Sequence, residues 1–170
     1  MKLDRYIRSI PDFPKKGILF RDITTLLNNK KAFGHTIDEL AKLFKKRHID
    51  YIIAAESRGF IFGGALAYKL NCGFIPVRKP GRLPYKTCRH TYCLEYGTDS
   101  LEIHRDAFPP NAKILILDDL LATGGTAQAM TNLVKKLKGK VVGIAFLIEL
   151  TGLKGRDKLK NYPLYSLIKY

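Results

Sequence analysis

Apolar residues in the first half of the chain alternate between helical and strand-like spacing. The pattern predicts an amphipathic helix over residues 31–47, a short buried strand over 51–55, a helix over 60–70 and a strand over 74–77. The first helix is predicted from apolar side chains that recur at helical spacing: Phe33, Ile37, Leu40, Ala41 and Phe44.

The second half continues this alternation. Alternating apolar residues predict a β-hairpin over 92–103, with its turn at 97–99. A continuous apolar strand is expected over 114–117, a helix over 127–137 and a buried strand over 141–150. Repeated strand–helix–strand units predict one α/β domain over residues 1–170 with a central, largely parallel sheet flanked by helices.

Composition narrows the class of protein. At 170 residues, 46% hydrophobic and 26% charged, the chain matches ordinary globular domains. Its net charge of +15 favours a polyanionic partner, which leaves nucleic acid, anionic membranes and phosphorylated substrates open. No stretch approaches a membrane span, so no membrane association is expected. The three cysteines, Cys72, Cys88 and Cys93, are odd in number and lack metal-ligand spacing, so neither a disulfide framework nor a zinc site is indicated. A reducing, cytoplasmic location is therefore expected.

The segment from Lys113 to Thr126, KILILDDLLATGGT, has the layout of a phosphate-binding strand–loop–helix junction. Free N–H groups at a helix N-terminus bind phosphate, and small loop residues let them approach it. Asp118 and Asp119 would repel a phosphate, so they suit ribose hydroxyls instead. The alternative is a helix N-cap with incidental acidic residues. No lysine follows the glycines, so the Walker pattern is absent.

A second junction of this kind lies at residues 56–59, Glu-Ser-Arg-Gly, between another strand and helix. Arg58 could bind an anion there, although alone it would be read as an ordinary surface arginine. Two such junctions fit a substrate with separated phosphate groups, as in 5-phosphoribosyl 1-pyrophosphate (PRPP).

KILILDDLLATGGT resembles the PRPP-binding motif of type I phosphoribosyltransferases, and LDDLLATGGT is similar to their adenine-specific branch. The resemblance covers nearly the whole chain through IPDFPKKGILFRDITTLL, AAESRGFIFGGALAYKL, FIPVRKPGRLP, YCLEYGTDSLEIH and IELTGLKGRDKL. It implies the type I phosphoribosyltransferase fold, with a base-binding flap over residues 1–30 and a β-hairpin lid over 80–103.

The resemblance also implies a reaction: transfer of the 5-phosphoribosyl group from PRPP to N9 of adenine, giving AMP and pyrophosphate in purine salvage. Asp118 and Asp119 would bind the ribose hydroxyls. The 5-phosphate would be held by Ala122, Thr123, Gly124, Gly125 and Thr126. The residues expected to bind pyrophosphate are Arg58, Arg78, Lys79 and Arg82, the last at a position where the family commonly has lysine.

For the base, the family pattern implies contacts from the backbone near Leu19 and from the side chain of Arg21. Glu95 resembles a loop carboxylate that manages a proton on the adenine ring, and its alternative is a solvent-facing strand residue. The catalytic set is thus Glu95 with Asp118 and Asp119. Mg²⁺ is expected to arrive with PRPP and to have no direct protein ligand. A homodimer is implied, in which the RKPG segment reaches the neighbouring site.

Two alternatives stay open on the sequence alone. The chain could be a phosphoribosyltransferase for a 6-oxopurine or orotate. It could instead be a non-catalytic regulator that binds nucleic acid, which the +15 charge motivates. No helix-turn-helix or RNA-recognition motif occurs, so nucleic acid is the less favoured partner.

Overall fold

The structure is a computed structural model that describes residues 1–93 and 98–170. The strands in this part are β1 (Arg8–Pro11), β2 (Leu19–Asp22), β3 (Tyr51–Ala55), β4 (Gly73–Val77), β5 (Thr87–Cys93), β6 (Thr98–His104), β7 (Lys113–Leu121), β8 (Lys140–Glu149) and β9 (Leu164–Lys169). The α-helices are α1 (Thr24–Leu27), α2 (Lys30–Phe44), α3 (Arg58–Leu70) and α4 (Gly125–Lys136), and short 3-10 helices cover Leu3–Tyr6, Thr151–Leu153 and Gly155–Lys158.

Five strands form a parallel sheet in the order β4-β3-β7-β8-β9. One apolar cluster joins α2 and α3 to one face, through side chains such as Phe44, Phe62 and Leu117. A second cluster joins α4 and the β5–β6 hairpin to the other face, with Met130 and Ile103 among its members. The predicted α/β fold with a largely parallel sheet is therefore confirmed.

The predicted elements are present with shifted ends. The side chain of Asn29 accepts hydrogen bonds from the N–H groups of Lys31 and Ala32 at 3.1 and 3.0 Å, so α2 begins at Lys30. It ends at Phe44, three residues before the predicted end. Strand β7 extends to Leu121, so the two acidic residues lie within the strand and not beyond it.

Two antiparallel hairpins lie outside the main sheet. The first pairs β1 with β2 and was not predicted. The second pairs β5 with β6, but its predicted turn was placed wrongly: Thr98 and Asp99 are already paired in β6, opposite Cys93 and Tyr92. Strand β9 was also not predicted, since its side chains are mostly half-buried without clear alternation. No helix in the described ranges is long and apolar enough to cross a bilayer.

Candidate active site

The two predicted junctions meet at one edge of the sheet. Strands β3 and β7 are parallel neighbours, so the loops that follow them leave the sheet side by side. Between these loops lies a cleft of about 570 Å³. Six predicted site residues line it: Arg58, Lys79, Asp118, Asp119, Ala122 and Thr126.

The acidic pair forms the floor of this cleft. Asp119 is only 6% exposed, and its Oδ2 lies 2.8 Å from Nε of Arg58. That contact is too poorly aligned for a hydrogen bond, which leaves Oδ2 as a buried acceptor without a donor in the described part of the chain. An incoming hydroxyl group would supply the missing donor.

Asp118 accepts a hydrogen bond from the N–H of Asp119 at 2.9 Å. Its carboxylate also lies against Gly59, where an added Cβ would stand 2.9 Å from Oδ1. Burial, and then the neighbouring charge of Asp119, raise the pKa of Asp118 well above its ordinary value. Burial also raises the pKa of Asp119, although Arg58 opposes that shift. The pair is therefore costly to ionise fully without a ligand.

The loop after β7 surrounds a small cavity of about 70 Å³ at the N-terminus of α4. Its lining includes the five residues that were predicted to hold the 5-phosphate: Ala122, Thr123, Gly124, Gly125 and Thr126. The first turn of α4 carries no acidic residue, so its free N–H groups and positive helix end stay available to an anion. Gly124 has a φ of +81°, a conformation that favours glycine.

Three of the predicted pyrophosphate ligands converge on Glu56, which directly follows β3. Its Oε2 accepts a hydrogen bond from Nε of Arg78 at 2.9 Å, and its Oε1 lies 3.6 Å from Nε of Arg82. The backbone N–H of Lys79 also donates to Oε1, at 2.8 Å. Burial opposes ionisation of Glu56, but these donors lower its pKa. Glu56 thus holds Arg78 and Arg82 beside Lys79, and of these three residues Lys79 lines the cleft.

The predicted base-binding residues lie on β2, beside the cleft. Leu19 is exposed, and Arg21 packs its guanidinium 3.7 Å from the ring centroid of Tyr170. Between them, Phe20 places its ring 5.5 Å from the guanidinium carbon of Arg58. The side chain of Arg58 therefore spans from the flap to the acidic pair.

Glu95 lies outside the described residues, so its predicted role stays a prediction. Four residues at the cleft were missed as individual side chains: Glu56, Tyr92 and Asp99, which line it, and Phe20, which packs near Arg58. Glu56 had a usable signal, because it directly follows β3, a parallel strand next to the strand that carries the two aspartates. The other three had none, since their importance depends on contacts between distant segments.

No group of three or more His, Cys, Asp or Glu side chains in the described part of the chain is placed to hold a metal ion. At the cleft floor, Asp118 and Asp119 supply two carboxylates that could contact a metal ion. Mg²⁺ prefers oxygen ligands and keeps several waters, so it is compatible with this pair only as an ion shared with a bound substrate.

Comparison with known proteins identifies the family of this site. The model of the phosphoribosyl transferase domain matches residues 22–166. A curated adenine phosphoribosyltransferase from Brachyspira hyodysenteriae is 61% identical over the full length of both chains, and one from Thermotoga petrophila is 56% identical, also over both full lengths.

Solved structures agree in fold. The crystal structure of adenine phosphoribosyltransferase from Thermoanaerobacter pseudethanolicus has a TM-score of 0.96 and 56% identity, and covers 99% of this chain and 98% of its own. That of the Saccharomyces cerevisiae enzyme, complexed with an imino-altritol bisphosphate and adenine, has a TM-score of 0.91 and 42% identity, and covers 96% of this chain and 95% of its own. The chain belongs to the phosphoribosyl transferase domain family.

Proposed function

We propose that the chain is an adenine phosphoribosyltransferase, which transfers the 5-phosphoribosyl group of PRPP to N9 of adenine and yields AMP and pyrophosphate. The observation that carries this function is the position of the Asp118–Asp119 pair. It lies between the loop that surrounds the 70 Å³ cavity and the cationic residues Arg58 and Lys79. Curated relatives of that name, up to 61% identical along the full chain, support the choice of adenine.

In this proposal the site holds PRPP by its two anionic ends. The loop from Ala122 to Thr126 binds the 5-phosphate, while Arg58, Arg78, Lys79 and Arg82 bind the pyrophosphate. Asp118 and Asp119 accept hydrogen bonds from the ribose hydroxyls between them. Their negative charge also stabilises the positive charge that develops on the sugar ring as the bond at C1 breaks.

Adenine enters from the flap, next to the backbone of Leu19 and the side chain of Arg21. It attacks C1 with inversion, and Glu95 manages the proton that the adenine ring must lose. A base edge buried against fixed donors and acceptors disfavours 6-oxopurines, because the wrong exocyclic group leaves polar atoms unpaired. The β5–β6 hairpin excludes water from the reacting sugar.

Magnesium is proposed to bind with PRPP, and Asp118 and Asp119 would position the ribose hydroxyls that it shares. When bound, the ion neutralises charge on the departing pyrophosphate.

A homodimer is also proposed. Helix α3 exposes Ile61 and Tyr68, two residues seven positions apart on one helical face, at 43% and 90% exposure. Large apolar side chains exposed on the same face of a helix favour a protein partner. If the partner is a second copy of the chain, it would bring its RKPG segment to the site. Sedimentation velocity of the chain and of Tyr68→Glu tests this: a dimer that Tyr68→Glu dissociates is expected, and a monomeric chain contradicts it.

The enzyme is proposed to act in the cytoplasm, where thiols stay reduced. Cys72 and Cys88, which are both free, suit that location.

The activity is tested by incubating the protein with adenine, PRPP and Mg²⁺ and identifying the products. AMP and pyrophosphate should appear in equal amounts, and Asp119→Ala should abolish most of the turnover. No AMP from adenine, with the protein folded, would refute the function. Unchanged kinetics in Asp119→Ala would refute the ribose assignment alone.

A further inference from the structure

Lys79, one of the proposed pyrophosphate ligands, already contacts an anion within the chain. Its Nζ meets Oδ2 of Asp99, near the start of β6. The same Asp99 oxygen accepts a hydrogen bond from the hydroxyl of Tyr92 at 3.0 Å, and Oδ1 accepts one from the N–H of Ser100 at 2.8 Å. Three donors from three different residues therefore converge on this one carboxylate.

The contact network of Asp99 reaches the other end of the cleft. The Tyr92 hydroxyl lies 3.4 Å from Oγ1 of Thr126, which lines both the phosphate cavity and the cleft. The Tyr92 ring also lies over Gly125, where an added Cβ would stand 3.4 Å from it. Asp99 thus connects a pyrophosphate-side cation with the loop proposed for the 5-phosphate.

Asp99 differs from Glu56, which contacts the side chains of Arg78 and Arg82 but contacts Lys79 only through its backbone N–H. Glu56 directly follows a strand of the central sheet and is fixed there by the backbone N–H of Lys79 and by the side chain of Arg78. Asp99 lies on a two-stranded hairpin outside the central sheet, and its contact with Lys79 joins two partly exposed side chains, 23% and 43% exposed.

The charge of Asp99 persists at neutral pH. Burial opposes ionisation, but hydrogen bonds from Lys79, the Ser100 N–H and Tyr92 lower the pKa of Asp99 below its ordinary value. Lys79 therefore faces a full negative charge whenever no substrate is bound.

We propose that Asp99 acts as a substitute anion for Lys79. Pyrophosphate displaces Asp99 from the Lys79 ammonium group when it binds, and Asp99 pairs with Lys79 again when pyrophosphate leaves. This role rests on the proposed function, because it assigns Lys79 to the pyrophosphate of PRPP. Asp99 then weakens pyrophosphate binding by competing for the same ammonium group, and it assists release of the product. Asp99 is a residue that tunes affinity and does not touch the reacting atoms.

The test is isothermal titration calorimetry of inorganic pyrophosphate with Mg²⁺ into the full chain and into Asp99→Asn. Removing a competing charge from a partly exposed ion pair should tighten pyrophosphate binding by about fivefold. A gain in affinity is informative, because damage to the fold would weaken binding. Equal or weaker pyrophosphate binding by folded Asp99→Asn would overturn the proposal.

Two controls separate exchange from general repulsion. Asp106→Asn removes the same charge from an exposed position beyond the far end of β6 and should leave pyrophosphate affinity unchanged. In a Lys79→Met background, Asp99→Asn should give less than half of its original gain, because the freed ammonium group is missing. An equal gain with either control would mean through-space repulsion, and the exchange would be refuted.

The calorimetric test does not depend on turnover, so it is distinct from the test of function. A chain that forms AMP but shows no gain in Asp99→Asn keeps the proposed function and loses this role for Asp99. A chain that gains pyrophosphate affinity in Asp99→Asn but makes no AMP loses the proposed reaction and keeps the exchange at Lys79.

Discussion

The carbonyl oxygen of Gly155 lies directly against Gly124: a Cβ built on Gly124 would stand 2.6 Å from it. A Cβ on Gly155 would in turn collide with the carbonyl oxygen of Ala122 and approach the side chain of Leu121 at 2.8 Å. The 3-10 helix at Gly155–Lys158 therefore packs directly against the phosphate loop, and neither glycine leaves room for a side chain.

Gly155→Ala should displace the phosphate loop. We expect it to raise the KM for PRPP by about tenfold and to cost about 1–3 kcal/mol of stability, the usual range for overpacking. The KM for adenine should change little. Steady-state kinetics with each substrate varied, together with thermal unfolding, checks this.

Gly152→Ala is the matched control, since nothing lies within 4 Å of its added Cβ. If both alanine variants raised the KM for PRPP equally, the cause would be a general effect of the segment, and the support role of Gly155 would be wrong.

The shifted pKa of Asp118 gives a pH-dependent prediction. Its folded-state pKa is raised above the unfolded value, so the folded protein binds more protons between the two values. The stability contributed by the protonated side chain is then present at acid pH and is lost as pH rises from about 4 through the folded pKa. Asp118→Asn removes this loss.

Melting temperatures of ligand-free protein across pH 4–8 test the point. Asp118→Asn should melt near the original protein at pH 4 and a few degrees above it at neutral pH, while its turnover falls on the order of a hundredfold. Asp106→Asn, an exposed carboxylate, should show no such divergence. A melting-point difference that stays constant with pH would contradict the raised pKa.

The stacking of Arg21 on Tyr170 links the base-binding flap to the far end of the sheet. Tyr170 is held by its N–H, which donates to the Glu149 carbonyl at 2.9 Å, and by Thr151, which donates to its carbonyl oxygen. Tyr170→Leu should raise the KM for adenine by about fivefold, the scale of a cation–π contact, and leave the KM for PRPP unchanged.

Tyr170→Phe keeps the ring and serves as the control, so it should retain the original KM for adenine. If Phe were as impaired as Leu, the hydroxyl and not the stacking would matter. An unaltered KM in Tyr170→Leu would remove Tyr170 from base binding altogether.

Glu95→Ala is expected to lower turnover more than affinity for PRPP, because a carboxylate that manages a proton on adenine acts on the chemical step. Single-turnover rates and PRPP binding should be measured on the same preparations. Loss of PRPP affinity with normal turnover would rule out the catalytic role.

The centre of the sheet was predictable because β3, residues 114–117 of β7 and most of β8 are apolar runs, buried on both faces. The same reasoning placed Arg58 and Asp119 at one edge, where they do meet. Strand β9 and the β1–β2 hairpin were missed, because half-exposed side chains on such strands give no clear period.

The contacts of Lys79 with Asp99 and of Arg21 with Tyr170 could not be predicted from the sequence. No local pattern encodes them, since each depends on how separate segments pack. The phosphate loop shows both cases. Its small residues form a recognisable sequence motif, whereas its contact with Gly155 is seen only in the folded structure.

The most direct measurement of the central claim is a side-by-side assay with PRPP, Mg²⁺ and adenine, hypoxanthine, guanine or orotate, with the nucleotide product identified in each. The account predicts AMP as the main product, with a kcat/KM for adenine at least about a thousandfold above that for the 6-oxopurines. A comparable or higher rate with hypoxanthine, guanine or orotate would contradict it.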